Sequence, residues 1–462
     1  MPILTTPETA QELAHLHQVI EDLLQEAQRQ GASAAEASVG IRTGLEVRVR
    51  LGAVETIEHT RDRGLSVTLY FGHRQGSAST SDVSPAAIRA TVAAARAIAQ
   101  HTQEDPCAQL PPVERLAQKV PDLDLYHSWP LAVDEAIEQA RVCEDAALTL
   151  DSRIVNSEGA SLSLQRHLHV SGNSLGFIGG YPTTRYGLSC AVIAQSGEEM
   201  QRDDWWTTAR AAGDLVAPEA VGRRAAERAL ARLGARRLKT CEAPVLFSAE
   251  VATGLARHLV SAINGHNLYR HASFLLDHLG QPIFPAWMRI HEQPHLPRGL
   301  SSAPYDGEGV ATAPKDLVRD GVLATYVLDT YAGCRLGLPT TGNAGGVRNL
   351  RIEPTPVRPT GAGVAPAGLD RPALLRELGR GLLVTELIGQ GVNLVTGDYS
   401  RGAAGFWVEN GEIQYPVEEI TIAGNLKEMF ERLVAVGSDD DIPGSTRTGS
   451  WLIERMTIAG EN

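Results

Sequence analysis

The sequence predicts an α+β fold in two domains. An N-terminal α+β domain with an antiparallel sheet is expected over residues 1–235, and a C-terminal domain with a β-rich, curved or barrel-like sheet over residues 236–462. The chain has 462 residues, more than one hydrophobic core usually serves. Helical and strand patterns mix in the first half, whereas glycines and strand patterns dominate the second. Between them, residues 234–244 combine glycine, a polar run and proline, as linkers do.

Four segments of the first half have the spacing of amphipathic helices. In the first, Thr6 can cap the helix, Pro7 suits its first turn, and apolar residues recur every three or four positions before Gly31. Ser84 and Pro85 begin the second segment in the same way. The four helices are predicted at residues 7–30, 85–99, 133–150 and 218–233.

Short runs rich in β-branched residues predict the strands. In the first half they indicate an antiparallel meander, and in the second half Asn410 and Gly411 indicate the turn of a hairpin. Two helical patterns, at residues 371–388 and 425–436, interrupt the strands of the second half. The first-half strands are predicted at residues 45–51, 54–60, 65–71, 161–172 and 187–195.

The cysteines predict free thiols. They are odd in number, widely spread and contain no C-x-x-C pair, which argues against a disulfide framework and against a cysteine zinc cluster. Buried free thiols are therefore expected. The five residues are Cys107, Cys143, Cys190, Cys241 and Cys334.

The net charge of −13 opposes nucleic-acid binding. A group of basic residues near the end of the first half is interpreted as a solvated helix face and linker, not as a binding patch. These residues are Arg223, Arg224, Arg228, Arg232, Arg236, Arg237 and Lys239. No apolar run is long enough to span a membrane, and the first residues do not resemble a secretory signal, so a cytoplasmic location is expected.

Residues 291–295 read HEQPH and fit the H-E-x-x-H pattern of zinc peptidases. That pattern binds zinc only on a helix, where both histidines share one face and the glutamate activates a water molecule. Pro294 lacks a backbone donor and disfavours helical angles at the residue before it. We therefore predict a loop or edge segment here and no zinc site.

Two segments of the second half carry candidate substrate-binding residues. The GNAGG run at residues 342–346 is either a tight turn or a place where the backbone contacts a peptide. Residues 396–408 either bind a ligand through polar side chains or hold a sharp turn between strands. The carboxylates at residues 439–441 are interpreted as a solvated loop. The candidate binding residues are Gly342, Asn343, Gly345, Asp398, Tyr399 and Arg401.

Specific sequence segments spread over nearly the whole chain resemble the TldD/TldE family, most closely its TldE (PmbA) branch. The segments are residues 76–82, 242–255, 273–280, 338–346, 382–417 and 420–426. The resemblance implies a two-domain subunit that forms a heterodimer around a central cavity.

The resemblance also implies that this chain is not the catalytic subunit. The TldD branch has H-E-x-x-x-H on the helix after a VLFS-like strand, and a cysteine near its carboxy terminus completes the zinc site. Here the matching positions run from Ala249 to Gly254 without a histidine, and residues 444–450 contain no cysteine. No catalytic residue and no metal ligand are expected in this chain. Glu250 remains, and we interpret it as an acid of the helix's first turn.

The expected function follows from that resemblance. A zinc-bearing TldD-type partner would cleave small unfolded polypeptides or peptide leaders, while this subunit encloses the cavity and stabilises the partner. Exposed strand edges and glycine-rich turns of the second domain are expected to bind the main chain of the peptide. Without its partner, the chain is expected to be able to form a homodimer.

Two alternatives stay open. An autonomous metallopeptidase would need other zinc ligands, for which a short window offers His258, His266, His271 and His278. A regulatory binding protein would agree with labels that link the family to DNA gyrase modulation. Because the net charge opposes direct nucleic-acid contact, such regulation would act through protein contacts.

Overall fold

The computed structural model describes residues 7–356, 368–440 and 442–460. Thr6 and Asp441, which were interpreted from the sequence, lie outside these ranges. Within them, the helices are α1 (Pro7–Arg29), α2 (Pro85–His101), α3 (Val133–Leu148), α4 (Pro218–Ala231), α5 (Ala249–Ala262), α6 (Gly265–Leu268), α7 (Thr330–Leu336), α8 (Arg371–Leu378) and α9 (Leu426–Glu431). The strands are β1 (Ala34–Arg50), β2 (Ala53–Phe71), β3 (Arg74–Thr80), β4 (Ile154–Asn173), β5 (Ile178–Ser196), β6 (Glu199–Ala209), β7 (Cys241–Phe247), β8 (Ile290–Glu292), β9 (Lys315–Arg319), β10 (Val322–Leu323), β11 (Leu350–Ile352), β12 (Gly381–Ile388), β13 (Asp398–Glu409), β14 (Glu412–Asn425), β15 (Leu433–Val436), β16 (Thr446–Arg447) and β17 (Trp451–Ala459). No described helix is both long and apolar enough to cross a membrane.

Strands β1 to β6 form one antiparallel sheet that curves into a half-barrel, in the order β3-β2-β1-β4-β5-β6. Alternate residues of β1, such as Val39 and Val47, are buried beneath helices. Helices α1 and α2 cover one end of this face, and α3 and α4 cover the other. The apolar stripe of each helix thus meets the apolar face of the sheet. The four helices predicted for the first half are confirmed, with small differences at their carboxy-terminal ends.

The predicted meander has fewer and longer strands than the sequence indicated. The runs at residues 54–60 and 65–71 belong to the single strand β2, because Gly64 continues the strand and pairs with Gly40 of β1. Strand β3 pairs only with the part of β2 that begins at Leu65. Along residues 53–64, the outer edge of β2 has no strand partner among the described residues. We call this segment the free edge of β2.

The second half contains a closed five-stranded barrel. Strands β14, β13, β12, β7 and β17 pair in that order, and pairing of β14 with β17 closes the ring. Helix α5 contributes Leu255 and Leu259, and Ile263 follows at its end, to the core that the barrel shares with a smaller sheet of order β10-β9-β8-β11-β16. The hairpin predicted at Asn410 and Gly411 is confirmed, with positive φ angles of 54° and 76° at the turn.

Both helices predicted in the second half are too long. Helix α8 stops at Leu378, and β12 begins at Gly381. A Cβ atom at position 381 would lie only 2.3 Å from the carbonyl oxygen of Pro244. Likewise, α9 stops at Glu431 and β15 follows from Leu433. A short apolar run does not distinguish a buried strand from a buried helix, which explains both errors.

The prediction of five free thiols is wrong for two cysteines. Cys107, between α2 and α3, forms a disulfide with Cys334 of α7. The two residues are 227 positions apart, so their spacing in the sequence carries no sign of the pairing. Cys143 and Cys190 are free and buried, whereas Cys241 is free and partly exposed.

Candidate functional site

The junction of β7 and α5 brings the two halves of the chain together. β7 ends at Phe247, and the amide of Ser248 donates to the carbonyl oxygen of Val384, which holds the turn against β12. The Ser248 hydroxyl is buried and makes no hydrogen bond with the described residues. Helix α5 then starts at Ala249, with Glu250 in its first turn as expected from its position near the positive end of the helix dipole.

The side chains at the start of α5 do not fit a zinc ion. Ala249 and Gly254 offer no lone pair, although the space around Gly254 is open enough to hold a side chain. Among the described residues, no three histidine, cysteine, aspartate or glutamate side chains are arranged to hold a metal. No catalytic step can therefore be built on a metal at this position.

Glu250 is instead held by an ion pair between the two halves. Arg228 of α4 donates from Nη1 to Glu250 Oε1 and from Nε to Asp203 Oδ1 of β6, both at 3.0 Å. Burial would lower the pKa of Arg228, but the two carboxylates raise it above its ordinary value. The guanidinium thus stays charged and joins β6, α4 and α5.

The arginines of α4 are therefore not simply a solvated face, as the sequence suggested. Arg228 is only 20% exposed, and Arg232 approaches Glu386 Oε2 at 2.6 Å and Asp203 Oδ2 at 3.6 Å. Arg224, in contrast, is exposed and lies 5.1 Å from the ring centre of Trp205. The sequence-based interpretation failed because the acidic partners come from β6, α5 and β12, distant in the chain.

Two adjoining cavities lie along this junction, and together we call them the α5 cleft. The cavity at the start of α5 has a volume of about 430 Å³, and its neighbour about 420 Å³. Arg224 and Arg371 line both. The first cavity is also lined by Trp205, Val216, Ala220, Ala249, Glu250, Asp439, Ile442 and Pro443. The second is also lined by Asp203, Glu227, Arg228, Ala231, Arg232, Thr385, Phe406, Ile413, Gln414, Tyr415 and Pro416.

Asp439 and Asp440 are structural residues rather than members of a solvated loop. The Asp439 carboxylate accepts from the Ser450 amide at 2.8 Å and from the Ser450 hydroxyl at 2.6 Å. Asp440 accepts from Arg351 at 3.0 Å. The sequence-based interpretation missed these contacts because the partners lie on other strands and loops.

The GNAGG run lies away from the α5 cleft and forms a buried turn. Gly342 and Gly345 have positive φ angles of 70° and 86°, which suit glycine. The Asn343 side-chain nitrogen donates to both oxygens of Glu292 at 3.0 Å, and Lys315 Nζ donates to the Asn343 oxygen at 2.8 Å. Because Asn343 is only 3% exposed, its hydrogen bonds are used inside the fold.

The HEQPH string forms no helix, as predicted, but it is not an edge. Residues Ile290–Glu292 form β8, the central strand of the smaller sheet. His291 Nε2 lies 2.7 Å from Glu353 Oε1, and His295 Nε2 lies 3.0 Å from the Thr312 hydroxyl. Each histidine thus has its own partner.

The candidate residues of the 396–408 segment belong to strand β13 of the barrel. Asp398 accepts from the Thr396 hydroxyl at 2.6 Å and bonds to the side chain of Asn425 at 3.3 Å. Tyr399 is 1% exposed, and its ring lies 6.1 Å from that of His258. Arg401 helps to lower the pKa of His258, although burial of the imidazole is the larger cause. None of the six candidate binding residues lines the α5 cleft.

Two of the remaining histidines of the proposed alternative ligand set have hydrogen-bond partners within the second half. His266 Nε2 lies 2.6 Å from Asp329 Oδ2, and His278 Nδ1 lies 2.7 Å from the carbonyl oxygen of Leu276. His271 occupies a position with a φ of 56°. Among the described residues these side chains form no metal-binding cluster with a third donor.

The half-barrel, the closed barrel and the cleft between them define the architecture of a metallopeptidase family. The chain belongs to the PmbA/TldD family. Family models match the PmbA/TldA metallopeptidase domain 1 at residues 35–99, the central domain at 126–233 and the C-terminal domain at 240–460.

Relatives with similar sequences cover nearly the whole chain. Metalloprotease PmbA of Escherichia coli O157:H7 is 50% identical over 92% of this chain and 92% of its own length. The Metalloprotease PmbA homolog of Haemophilus influenzae is 45% identical over 96% of both chains. The family named from sequence segments is thus confirmed.

Solved structures share the fold. A Bacteroides thetaiotaomicron protein described as a candidate modulator of DNA gyrase has a TM-score of 0.86 at 28% identity, over 96% of this chain and 98% of its own. TldE from Thermococcus kodakarensis has a TM-score of 0.80 at 20% identity, over 96% of this chain and all of its own, which shows likeness of fold alone. The predicted α+β class, with an antiparallel sheet in the first half and a curved or barrel-like sheet in the second, is confirmed.

Proposed function

We propose that this chain is the non-catalytic subunit of a TldD/TldE-type metallopeptidase. The observation that carries the proposal is the start of α5, where Ala249 and Gly254 replace the two histidines of the TldD motif. Glu250 remains but is bound to Arg228, and a general base needs a water or substrate proton within reach. This helix therefore acts as scaffold between the halves.

The catalytic zinc would then belong to a TldD-type partner. Together the two subunits enclose a cavity in which the partner cleaves small unfolded polypeptides or peptide leaders. The naming of the E. coli and H. influenzae relatives as metalloproteases supports peptide hydrolysis as the activity of the complex.

The free edge of β2 is the surface we assign to subunit pairing. An unpaired strand presents a row of backbone donors and acceptors that another strand can satisfy. Near its hairpin end, Leu51, Val54 and Ile57 are 57%, 42% and 46% exposed, so apolar area is available to a partner. The sequence-based expectation concerned a different contact, since strand edges of the second domain were expected to bind the main chain of the peptide; the barrel there closes into a ring, whereas the smaller sheet ends at β10 and β16.

The experiment compares this chain alone, its TldD-type partner alone and the mixture. Metal content and hydrolysis of an unstructured peptide are measured for each. We expect the chain alone to bind no stoichiometric zinc and to cleave nothing, and the mixture to cleave faster than the partner alone. As a control, Glu219→Gln changes an exposed residue of α4 and should leave the rate of hydrolysis by the mixture unchanged. Full hydrolysis by the partner alone, or zinc-dependent hydrolysis by this chain alone, contradicts the proposal.

A further inference from the structure

Two arginines face each other across the α5 cleft from different halves of the chain. Arg224 comes from α4, and Arg371 is the first residue of α8, after the capping residue Asp370. Both line both cavities, so both lie where the cavities adjoin. The Asp370 carboxylate accepts from the Ala373 amide and caps the start of α8, so the positive charge on this wall comes from the Arg371 side chain and not from the helix end.

The charges of these two arginines are not neutralised within the fold. Among the described residues, neither guanidinium has a carboxylate within 4.0 Å, whereas Arg228 and Arg232 on the same wall of the cleft each pair with two acids. Of the acids in the first cavity, Glu250 is paired with Arg228, whereas Asp439 keeps its negative charge but is turned toward Ser450, from which it accepts two hydrogen bonds, and pairs with neither arginine. Two cations are therefore left to attract an anion from outside.

Apolar side chains surround the two charges. Trp205, Val216 and Ile442 line the first cavity, and Phe406 and Ile413 line the second. A space of about 430 Å³ beside one of about 420 Å³ suits a chain of a few residues rather than a single small ion. Each cavity also holds an acid that pairs with neither arginine, Asp439 in the first and the exposed Glu227 in the second, so an anion is favoured where the cavities adjoin, between Arg224 and Arg371.

We propose that the α5 cleft binds a carboxylate of an extended peptide between Arg224 and Arg371, with neighbouring apolar side chains of the peptide against Trp205 and Phe406. The proposal rests on the proposed function, since it names the ligand class that this subunit holds for its partner. Guanidinium groups bind carboxylates through paired, charge-assisted hydrogen bonds. Because the two arginines come from different halves of the chain, a carboxylate bound to both of them has a second effect. It would hold the two halves in one relative position.

The test uses the full chain and fluorescein-labelled peptides of one apolar sequence, followed by fluorescence anisotropy. One peptide ends in a free carboxylate, a second in an amide, and a third in an amide but with one internal glutamate. We expect the free acid to bind about tenfold or more tightly than the plain amide, the usual scale for a hydrogen bond to a charged group. If the third peptide also binds tightly, the site recognises side-chain carboxylates. If the third peptide binds as weakly as the plain amide, the site recognises the carboxy terminus.

Matched variants locate the site. Arg224→Gln and Arg371→Gln should each reduce free-acid affinity about tenfold, toward that of the amide. Arg223→Gln on α4 and Arg376→Gln on α8 alter exposed arginines outside the cleft and should change nothing. Circular dichroism confirms folding of each variant.

Equal affinity for all three peptides overturns the proposal, and so does equal loss in Arg223→Gln and Arg224→Gln. The proposed function fails differently. If the chain stimulates its TldD-type partner but does not distinguish acid from amide, only the carboxylate site is wrong. If it distinguishes them but does not affect the partner, only the subunit role is wrong.

Discussion

Two glutamates, Glu292 and Glu250, occupy the glutamate position of a zinc-peptidase motif, and their contacts in the structure differ. Glu292, in the HEQPH string, is 1% exposed and binds Asn343, the Arg348 amide and Lys315, all within the second half. Glu250, at the position of the TldD general base, is partly buried and pairs with Arg228 across the halves. The motif string alone therefore does not identify either glutamate as a catalytic residue. Glu292 anchors one core, whereas Glu250 connects two bodies beside a cleft.

The largest difference between the two should be in stability. Glu292→Gln leaves Lys315, whose side chain is 17% exposed, without a charge partner and turns an amide donor toward the donors of Asn343 and Arg348. We expect a loss of about 3–5 kcal/mol in the free energy of unfolding. Urea denaturation monitored by circular dichroism measures it. A loss below about 1 kcal/mol would mean that Glu292 contributes no more to stability than Glu250 is expected to contribute.

The disulfide between Cys107 and Cys334 is a second link between the two halves, besides the ion pair of Glu250, and its contribution to stability can be measured separately. Cys107→Ser should lower the stability of the oxidised protein by about 2–4 kcal/mol, because the bond restricts the unfolded chain. The same denaturation experiment in excess reductant supplies the control. There, the variant and the unaltered chain should unfold alike. No effect of reductant on the unaltered chain would show that the bond does not contribute.

A third carboxylate, Glu308, lies outside the α5 cleft and should make stability depend on pH. Burial, together with the nearby carboxylates of Asp306 and Asp329, raises the pKa of Glu308 to about 7, although hydrogen bonds from Thr330 act in the opposite direction. A carboxyl whose pKa is raised by folding is more easily charged in the unfolded chain. Its contribution to stability is therefore lost as the pH rises from about 4.5 to about 7.

Glu308→Gln should remove this pH dependence. The variant keeps an acceptor for Thr330 and should be more stable than the unaltered chain by about 1–2 kcal/mol at pH 8, with little difference at pH 4.5. Thermal unfolding across this pH range measures the effect. A variant that is destabilised equally at both pH values would mean that Glu308 is a charged structural residue.

The smallest effect is expected at Glu250 itself. Glu250→Gln leaves Arg228 paired with Asp203, so a loss of only about 1 kcal/mol is expected. A double-mutant cycle with Arg228→Gln isolates the pair and should give a coupling energy of similar size. A coupling energy near zero would mean that the ion pair does not join the halves.

Local signals were sufficient for much of the fold. Pro7, Ser84 and the Asn410-Gly411 turn act within a few residues, so the elements they delimit were predicted close to their observed positions. The free edge of β2 was not predicted, because a strand that lacks a neighbour has the same alternation as one that has it.

The site was harder to predict than the fold. The family resemblance located the start of α5, but the cleft depends on residues far apart in the chain, such as Arg224 and Arg371. Neither arginine differs in sequence from a surface residue. The six glycine-rich and polar candidates were expected either to bind a substrate or to hold tight turns, and the structure places them in turns and strands of the second half.

The most direct measurement is the zinc content of the complex assembled from this chain and a TldD-type partner, by elemental analysis after gel filtration. We predict about one zinc ion per pair, all of it bound to the partner when the subunits are separated. About two zinc ions per pair, with one retained by this chain alone, would contradict a non-catalytic role.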